Sequence, residues 1–181
     1  PETLFNPRFW NDSTATPSFN TERITFKNLD VLVDYMKQPE YLFDGEMRRI
    51  ILSEQGFHSL SNSEEDQQIQ AAAYAYAYYK IKFLDGIDAF ILHRHVDHGE
   101  EGGLNLGLWT HTPTSVVTPD QHKAIYDVFK YIDTSRSLEA TEFAKAIIGI
   151  PSWEQAIPGF DASRLADRSL PAENGLDYVE S

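Results

Sequence analysis

The chain has 181 residues, 41% of them hydrophobic, and its 28 acidic side chains against 15 basic ones give a formal charge of -13. That length suffices for one domain with a real core; the charge repels nucleic-acid phosphates and anionic lipid, so neither is expected as a partner. No apolar run approaches the length that spans a bilayer, and the lack of Cys excludes disulfides, thiolate metal sites and a cysteine nucleophile.

From Pro1 to about Asn20 the residues are Pro, Asn, Thr and aromatics without a period, which predicts an irregular loop like the tail of a strand-to-helix connection. The chain opens on Pro1 with no charged start ahead of an apolar stretch, so any targeting segment is expected to have been removed or left out. Leu29, Leu32, Val33 and Met36 then recur at helical spacing, and Pro39 stops them, which predicts a helix near 26–38.

Next comes Arg49-Ile50-Ile51-Leu52-Ser53-Glu54-Gln55-Gly56-Phe57, an apolar run halted by a carboxylate and a glycine. It reads as a strand near 49–54, buried on both faces as in a parallel sheet. Glu54 falls at its carboxyl end, the edge where α/β folds place reacting groups, and is the candidate catalytic carboxylate. The competing reading is a Glu that caps the strand or pairs with a nearby Arg.

After a polar loop, Ser63 is an N-cap with Glu64, Glu65 and Asp66 in the first turn. The alanines from Ala71 to Ala77 propagate the helix, and Ile69, Ala73, Tyr76, Lys80 and Phe83 mark its expected buried face before Gly86. A second apolar run near 87–95 ends in His93, Arg94, His95, Asp97, His98, Glu100 and Glu101. Strand, helix, strand predicts a βαβ unit with both polar ends at one rim.

Leu104, Leu106 and Leu108 alternate towards Trp109, as in a short strand or rim segment. Thr118-Pro119-Asp120-Gln121 has the form of a capping box, with Ala124, Ile125, Val128, Phe129 and Ile132 as the stripe behind it. A further helix is expected over 138–148, closed by Gly149 and Pro151, and residues 151–181 read as an irregular tail. Gly102-Gly103 has no phosphate-loop context, so no nucleotide or other cofactor is expected.

A Glu after a buried parallel strand, then Gly and an aromatic, resembles the nucleophile strand of the retaining glycoside hydrolase clan built on (β/α)8 barrels. Ile51-Leu52-Ser53-Glu54-Gln55-Gly56-Phe57 carries the match. The stretch from Asn6-Pro7-Arg8-Phe9-Trp10-Asn11-Asp12 to Trp109, with its Ala-Tyr-rich helix and His93-Arg94-His95-Val96-Asp97-His98, looks most like an uncharacterised bacterial family of such barrels. The resemblance implies an α/β chain whose residues 1–150 form the carboxyl-terminal portion of a TIM barrel, the two strands being its seventh and eighth. It implies retaining hydrolysis of O-glycosidic bonds in a longer parent, with Glu54 as nucleophile and Gln55, His93, His95, Asp97 and Trp109 shaping the carbohydrate site. The acid/base Glu would end the fourth strand, upstream of Pro1, so this chain alone is expected to be inactive. Secretion or a periplasmic location follows from the same likeness.

Within the chain, Asp97, Glu100 and Glu101 are the carboxylates that could approach Glu54 at the same rim. Two other functions fit these residues. One is a carbohydrate-binding barrel without catalysis; the other is a metal-dependent hydrolase using His93, His95 and His98, since alternate residues of a strand point to one side. The open edges of two lone strands also predict self-association.

Overall fold

The computed structural model describes residues 12–166, so Trp10 and the Asn6–Asn11 part of the resemblance lie outside the described residues. The loop after Asp12 is organised by Asn28, which is 3% exposed. Its amide donates to Thr16 O, Thr21 Oγ1 and Arg23 O, and its carbonyl oxygen accepts from the Thr25 amide. A 3-10 turn at Phe26–Asn28 leads into α1, Leu29–Met36, and Pro39 opens another such turn where the helix was expected to stop.

Strand β1 is Ile51–Gln55, starting two residues later and ending one residue later than the apolar pattern suggested, and it pairs in parallel with β2, Ala89–Leu92. Ile51 faces Ala89, Leu52 faces Phe90 and Gln55 faces Leu92, with an irregularity between Leu52 and Gln55. Asp88 closes the start of the pair: its carboxylate accepts from Ile50 N at 2.9 Å and meets Arg49 at 3.3 Å. The pair is not buried on both faces. Ile51 and Ile91 are each 51% exposed, whereas Phe90 stacks on Tyr74 beneath the sheet. The described residues supply helices on one side only, and that leaves the apolar run half covered.

Between the strands runs α2, Glu64–Lys82, where the Ser63 side chain accepts from Asp66 N and the acidic first turn faces the positive helix end. The expected single buried face is corrected to burial around most of the circumference. Residues 71, 72, 73, 75 and 77 are alanines at 0% exposure, so the sheet can approach on one side and two later helices on another. Tyr79, also fully buried, hydrogen-bonds Ser137 Oγ at 2.8 Å and Thr141 Oγ1 at 2.9 Å.

After His93 the chain leaves β1, and the His93–Arg94 peptide is cis. Segment 94–97 then lies parallel to 106–109, through Arg94 N to Leu106 O, Leu108 N to His95 O and Asp97 N to Trp109 O. Strand β2 is therefore shorter than the 87–95 apolar stretch.

Strand β3, Trp109–His111, forms an antiparallel hairpin with β4, Pro119–His122. This corrects the capping box. Thr118 Oγ1 donates to Ser115 Oγ and the Gln121 amide donates to Thr110 Oγ1, so the box residues are used by the hairpin. Pro119 sits at the first position of the strand, where its missing N–H is tolerated. Helix α3 starts later, at Ala124–Tyr131, and buries Ile125 and Val128 while Phe129 stays 42% exposed.

Helix α4, Ser137–Ile148, ends at Gly149 in the left-handed conformation. Residues 151–166 are not a frayed tail: Trp153 in α5, Trp153–Ala156, is 3% exposed, Ile157 is 1% and Leu165 is 3%. They cap the α2–α4 core, Trp153 meeting Tyr79 edge-on at 4.7 Å. The rest of the expected tail, 167–181, lies outside the described residues. The described residues thus form a mixed α/β arrangement with two small sheets and no closed barrel. None of their helices is long and apolar enough to cross a membrane.

Candidate active site at the strand rim

Parallel pairing fixes the first element of the site, because β1 and β2 must end at the same rim. Leu52 and Gln55 are half-buried, while Ile51, Ser53 and Glu54 are exposed. The register irregularity between Leu52 and Gln55 interrupts the strict alternation of the strand where Ser53 and Glu54 are both exposed. Among the described residues no hydrogen bond or ion pair engages the Glu54 carboxylate. The arginines before the strand are occupied elsewhere, Arg49 with Asp88 and Arg48 over the Phe43 ring.

Glu54 and His93 stand on adjoining backbone. His93 N donates to Gln55 O at 3.0 Å, and a Cβ on Gly56 would lie 2.9 Å from His93 O, so only glycine permits this approach. The His93 ring is turned to Glu101: Nε2 lies 2.7 Å from Oε1, and Arg94 Nη1 donates to Oε2, also at 2.7 Å. The hydrogen bond from His93, joined by those from Arg94, holds the Glu101 carboxyl below its usual range despite some burial.

The loop that carries Glu101 is anchored from below. The Asp97 side chain is 3% exposed and that of Lys123 is 0%, and Lys123 Nζ contacts both carboxylate oxygens at 3.2 Å. Asp97 also accepts from Gly107 N at 2.6 Å, and Lys123 donates to Asn105 O at 3.2 Å. A Cβ on Gly107 would meet Asp97 N at 2.2 Å, so the loop ends close only around a glycine. Burial lowers the affinity of Lys123 for its proton, with Asp97 opposing. Asn105 ties the loop to the segment after β1, donating from N to His58 Nδ1 at 2.9 Å and from Nδ2 to Ser59 O at 3.0 Å.

These contacts sort the residues the sequence singled out. Glu54 and His93 come together at the rim. Gln55 is half-buried beside them and uses its carbonyl to hold His93. His95 is exposed, its ring 6.4 Å from Trp109. Asp97 moves from the rim to the interior: its oxygens are taken by Lys123 and a backbone amide, so it supports the loop and offers no surface to substrate. Trp109 is packed in an aromatic group rather than presented as an open platform. It lies 3.8 Å from the His122 ring and 5.7 Å from Tyr126, and its buried Nε1 has no hydrogen-bond partner among the described residues.

The metal reading is corrected on geometry. His93 faces Glu101, and His98 Nδ1 accepts from Glu100 N. Among the described residues no group of three or more His, Asp or Glu is placed to hold a metal ion. Of the three carboxylates that might have assisted Glu54 as an acid, Glu100 is exposed and two are spoken for. Glu101 is held ionised by the hydrogen bonds from His93 and Arg94, and Asp97 is enclosed with Lys123. A general acid needs the opposite, a carboxyl kept protonated.

Arg94 and Glu101 belong to the site as a pair, although in the sequence Arg94 stands out only as part of a polar strand end and Glu101 only as a carboxylate that could approach Glu54. Their seven-residue separation across a glycine-containing turn carries no recognisable spacing. His58 was likewise read as plain loop.

A family model described as "Family of unknown function (DUF5722)" matches residues 1–156 of the chain. No curated protein and no solved structure matches it.

Proposed function

The chain belongs to the family of unknown function DUF5722, and we propose that it forms the last part of a (β/α)8 barrel that hydrolyses O-glycosidic bonds with retention of configuration. The observation that carries this reading is Glu54, an exposed carboxylate free of partners among the described residues. It is exposed at the carboxyl end of a parallel strand, with His93 on the adjoining strand end, and on this proposal it lies on the open face of the half-covered sheet. In a barrel that face is the interior and that end is the catalytic mouth. The half-covered sheet agrees with strands whose inner side is to be enclosed by the remainder of a cylinder.

The chemistry assigned to this chain is nucleophilic. The Glu54 carboxylate attacks the anomeric carbon as the glycosidic C–O bond breaks, and the leaving oxygen takes a proton from a second carboxyl group about 5 to 5.5 Å away. Water then attacks the glycosyl ester, loses a proton to that same second group and frees Glu54. The second group lies in the longer parent. His93 hydrogen-bonds sugar hydroxyls at the rim, with His95 and Gln55 beside it.

Assay on aryl glycosides tests the proposal. The isolated chain gives no turnover, and the longer parent loses at least about a thousandfold in kcat in Glu54→Gln, because the bond-forming nucleophile is gone. A parent that keeps its kcat in Glu54→Gln overturns the assignment. A carbohydrate-binding barrel without catalysis is the second reading. It is favoured by Asp97 and Glu101, two of the carboxylates expected to approach Glu54, being committed to Lys123, His93 and Arg94.

A further inference from the structure

We infer that Glu101 is a positioning residue that fixes His93 in one tautomer, so that His93 Nδ1 is presented at the rim as an acceptor for a hydroxyl of a neutral sugar. The sugar rests on the reading of this rim as a carbohydrate site; the positioning does not.

An ionised carboxylate can only accept hydrogen bonds. With Oε1 of Glu101 at 2.7 Å, His93 Nε2 has to carry a proton, and the neutral ring then keeps its lone pair on Nδ1. Among the described residues nothing donates to that nitrogen, and the side chain is 35% exposed, so a solvent-borne donor can reach it. A sugar hydroxyl is such a donor, and the net charge of -13 does not repel it.

The rest of the loop is built to hold the carboxylate still. The second oxygen is fixed by Arg94, so rotation about the Glu101 side chain would break two charge-assisted bonds together. The backbone around it is closed by Gly99 N to Val116 O, Glu101 N to His98 O and Leu104 N to Glu101 O. Beneath it the buried Asp97–Lys123 pair clamps the two ends of the loop. A carboxylate meant only to solubilise a loop tip requires none of this.

The test is NMR of the 181-residue chain labelled with nitrogen-15 at histidine, with His93 assigned by its loss in His93→Gln. At slightly alkaline pH the wild-type ring shows a protected Nε2 proton and an unprotonated Nδ1. In Glu101→Ala the protected proton vanishes. In the isosteric Glu101→Gln, which retains the loop fold, its exchange quickens about tenfold, as expected for a charge-assisted bond weakened to a neutral one. Titration with the methyl β-glycosides of glucose, galactose, mannose and xylose moves the wild-type His93 Nδ1 resonance with at least one of them and leaves it unmoved in Glu101→Ala.

A proton on Nδ1 in the wild type, or a protected Nε2 proton that survives both substitutions, overturns the positioning role. Absence of any response to the four glycosides overturns the hydroxyl assignment. Failure of Glu54 as nucleophile in the longer parent would leave the ring-proton result standing, so the two readings fail separately.

Discussion

The ammonium of Lys123, on a side chain with 0% exposure, meets a carboxylate that is 3% exposed. Such a pair gains little over an apolar one, yet removing one partner strands a buried charge at about 3–5 kcal/mol. Asp97→Asn should therefore lower the urea-unfolding free energy by about that amount, and Asp97→Leu with Lys123→Met should recover most of it. An Asp97→Asn protein as stable as wild type would show that water reaches the pair. His58 gives a second residue-scale expectation. Burial holds its ring below the ordinary 6.5, helped by Lys123 and opposed by Asp97 and Asp66. In the window between the folded value and 6.5 the unfolded chain binds more protons, so stability rises with pH there. The contribution is complete above 6.5 and is lost as pH falls through the folded value, where protonation also ends the acceptance from Asn105 N. Thermal melts from about pH 7.5 to about pH 5.5 should show a decline that His58→Asn, which offers an acceptor oxygen without titrating, makes shallower. An identical slope in both proteins would remove His58 from the account. Neither environment was legible in the sequence. Asp97 and Lys123 are 26 positions apart and His58 and Asn105 are 47 apart, so only the folded loop brings them together.

Helices α2 and α4 were legible because their signals are local. Ser63 with three acidic residues behind it starts α2, and Gly149 ends α4. Thr118-Pro119-Asp120-Gln121 carries an equally good local signal, and there tertiary pairing wins. The antiparallel partner Trp109–His111 takes up residues 119–122, Ser115 takes the Thr118 hydroxyl, and α3 waits for Ala124. The comparison makes a paired prediction. Ser63→Ala removes a side-chain acceptor from a helix end and should cost about 1 kcal/mol. Thr118→Ala removes a solvent-exposed contact between two hydroxyls and should stay within about 0.5 kcal/mol. Chemical denaturation of both variants checks this, and a loss at Thr118 equal to that at Ser63 would favour a helix beginning at Pro119 in solution. The all-round burial of α2 escaped the periodicity for a related reason. Alanine suits a helix surface and a helix core equally, and only the neighbours decide which it becomes.

At the scale of the molecule, the parallel strand pair was legible as a pair, but the fate of its two faces was not, since an apolar run looks the same whether one side is covered or two. Phe90 packs below against Tyr74 and Phe57, while Ile51 and Ile91 stand 51% exposed above, next to the outer edge of β1, which has no strand partner among the described residues. Parallel sheets are ordinarily covered on both faces, and an open edge is a template for another strand. In the longer parent proposed above, that cover is the rest of the barrel. Among the described residues of the isolated chain nothing supplies that cover, and another copy of the chain can, so it should associate. Sedimentation equilibrium of the 181-residue chain should therefore give a mass above that of the monomer, falling towards it in the Ile51→Lys, Ile91→Lys double variant. Lysines on that face meet water in a monomer and an opposing apolar surface in a dimer, whereas Trp153→Ala, which opens a cavity in the buried core at about 3–5 kcal/mol, should weaken folding without acting on that face. A chain that is monomeric before any substitution would mean that water satisfies this edge and face unaided. The argument from the half-covered sheet to an enclosing cylinder would then lose its physical basis, leaving the Glu54 rim to stand on its geometry alone.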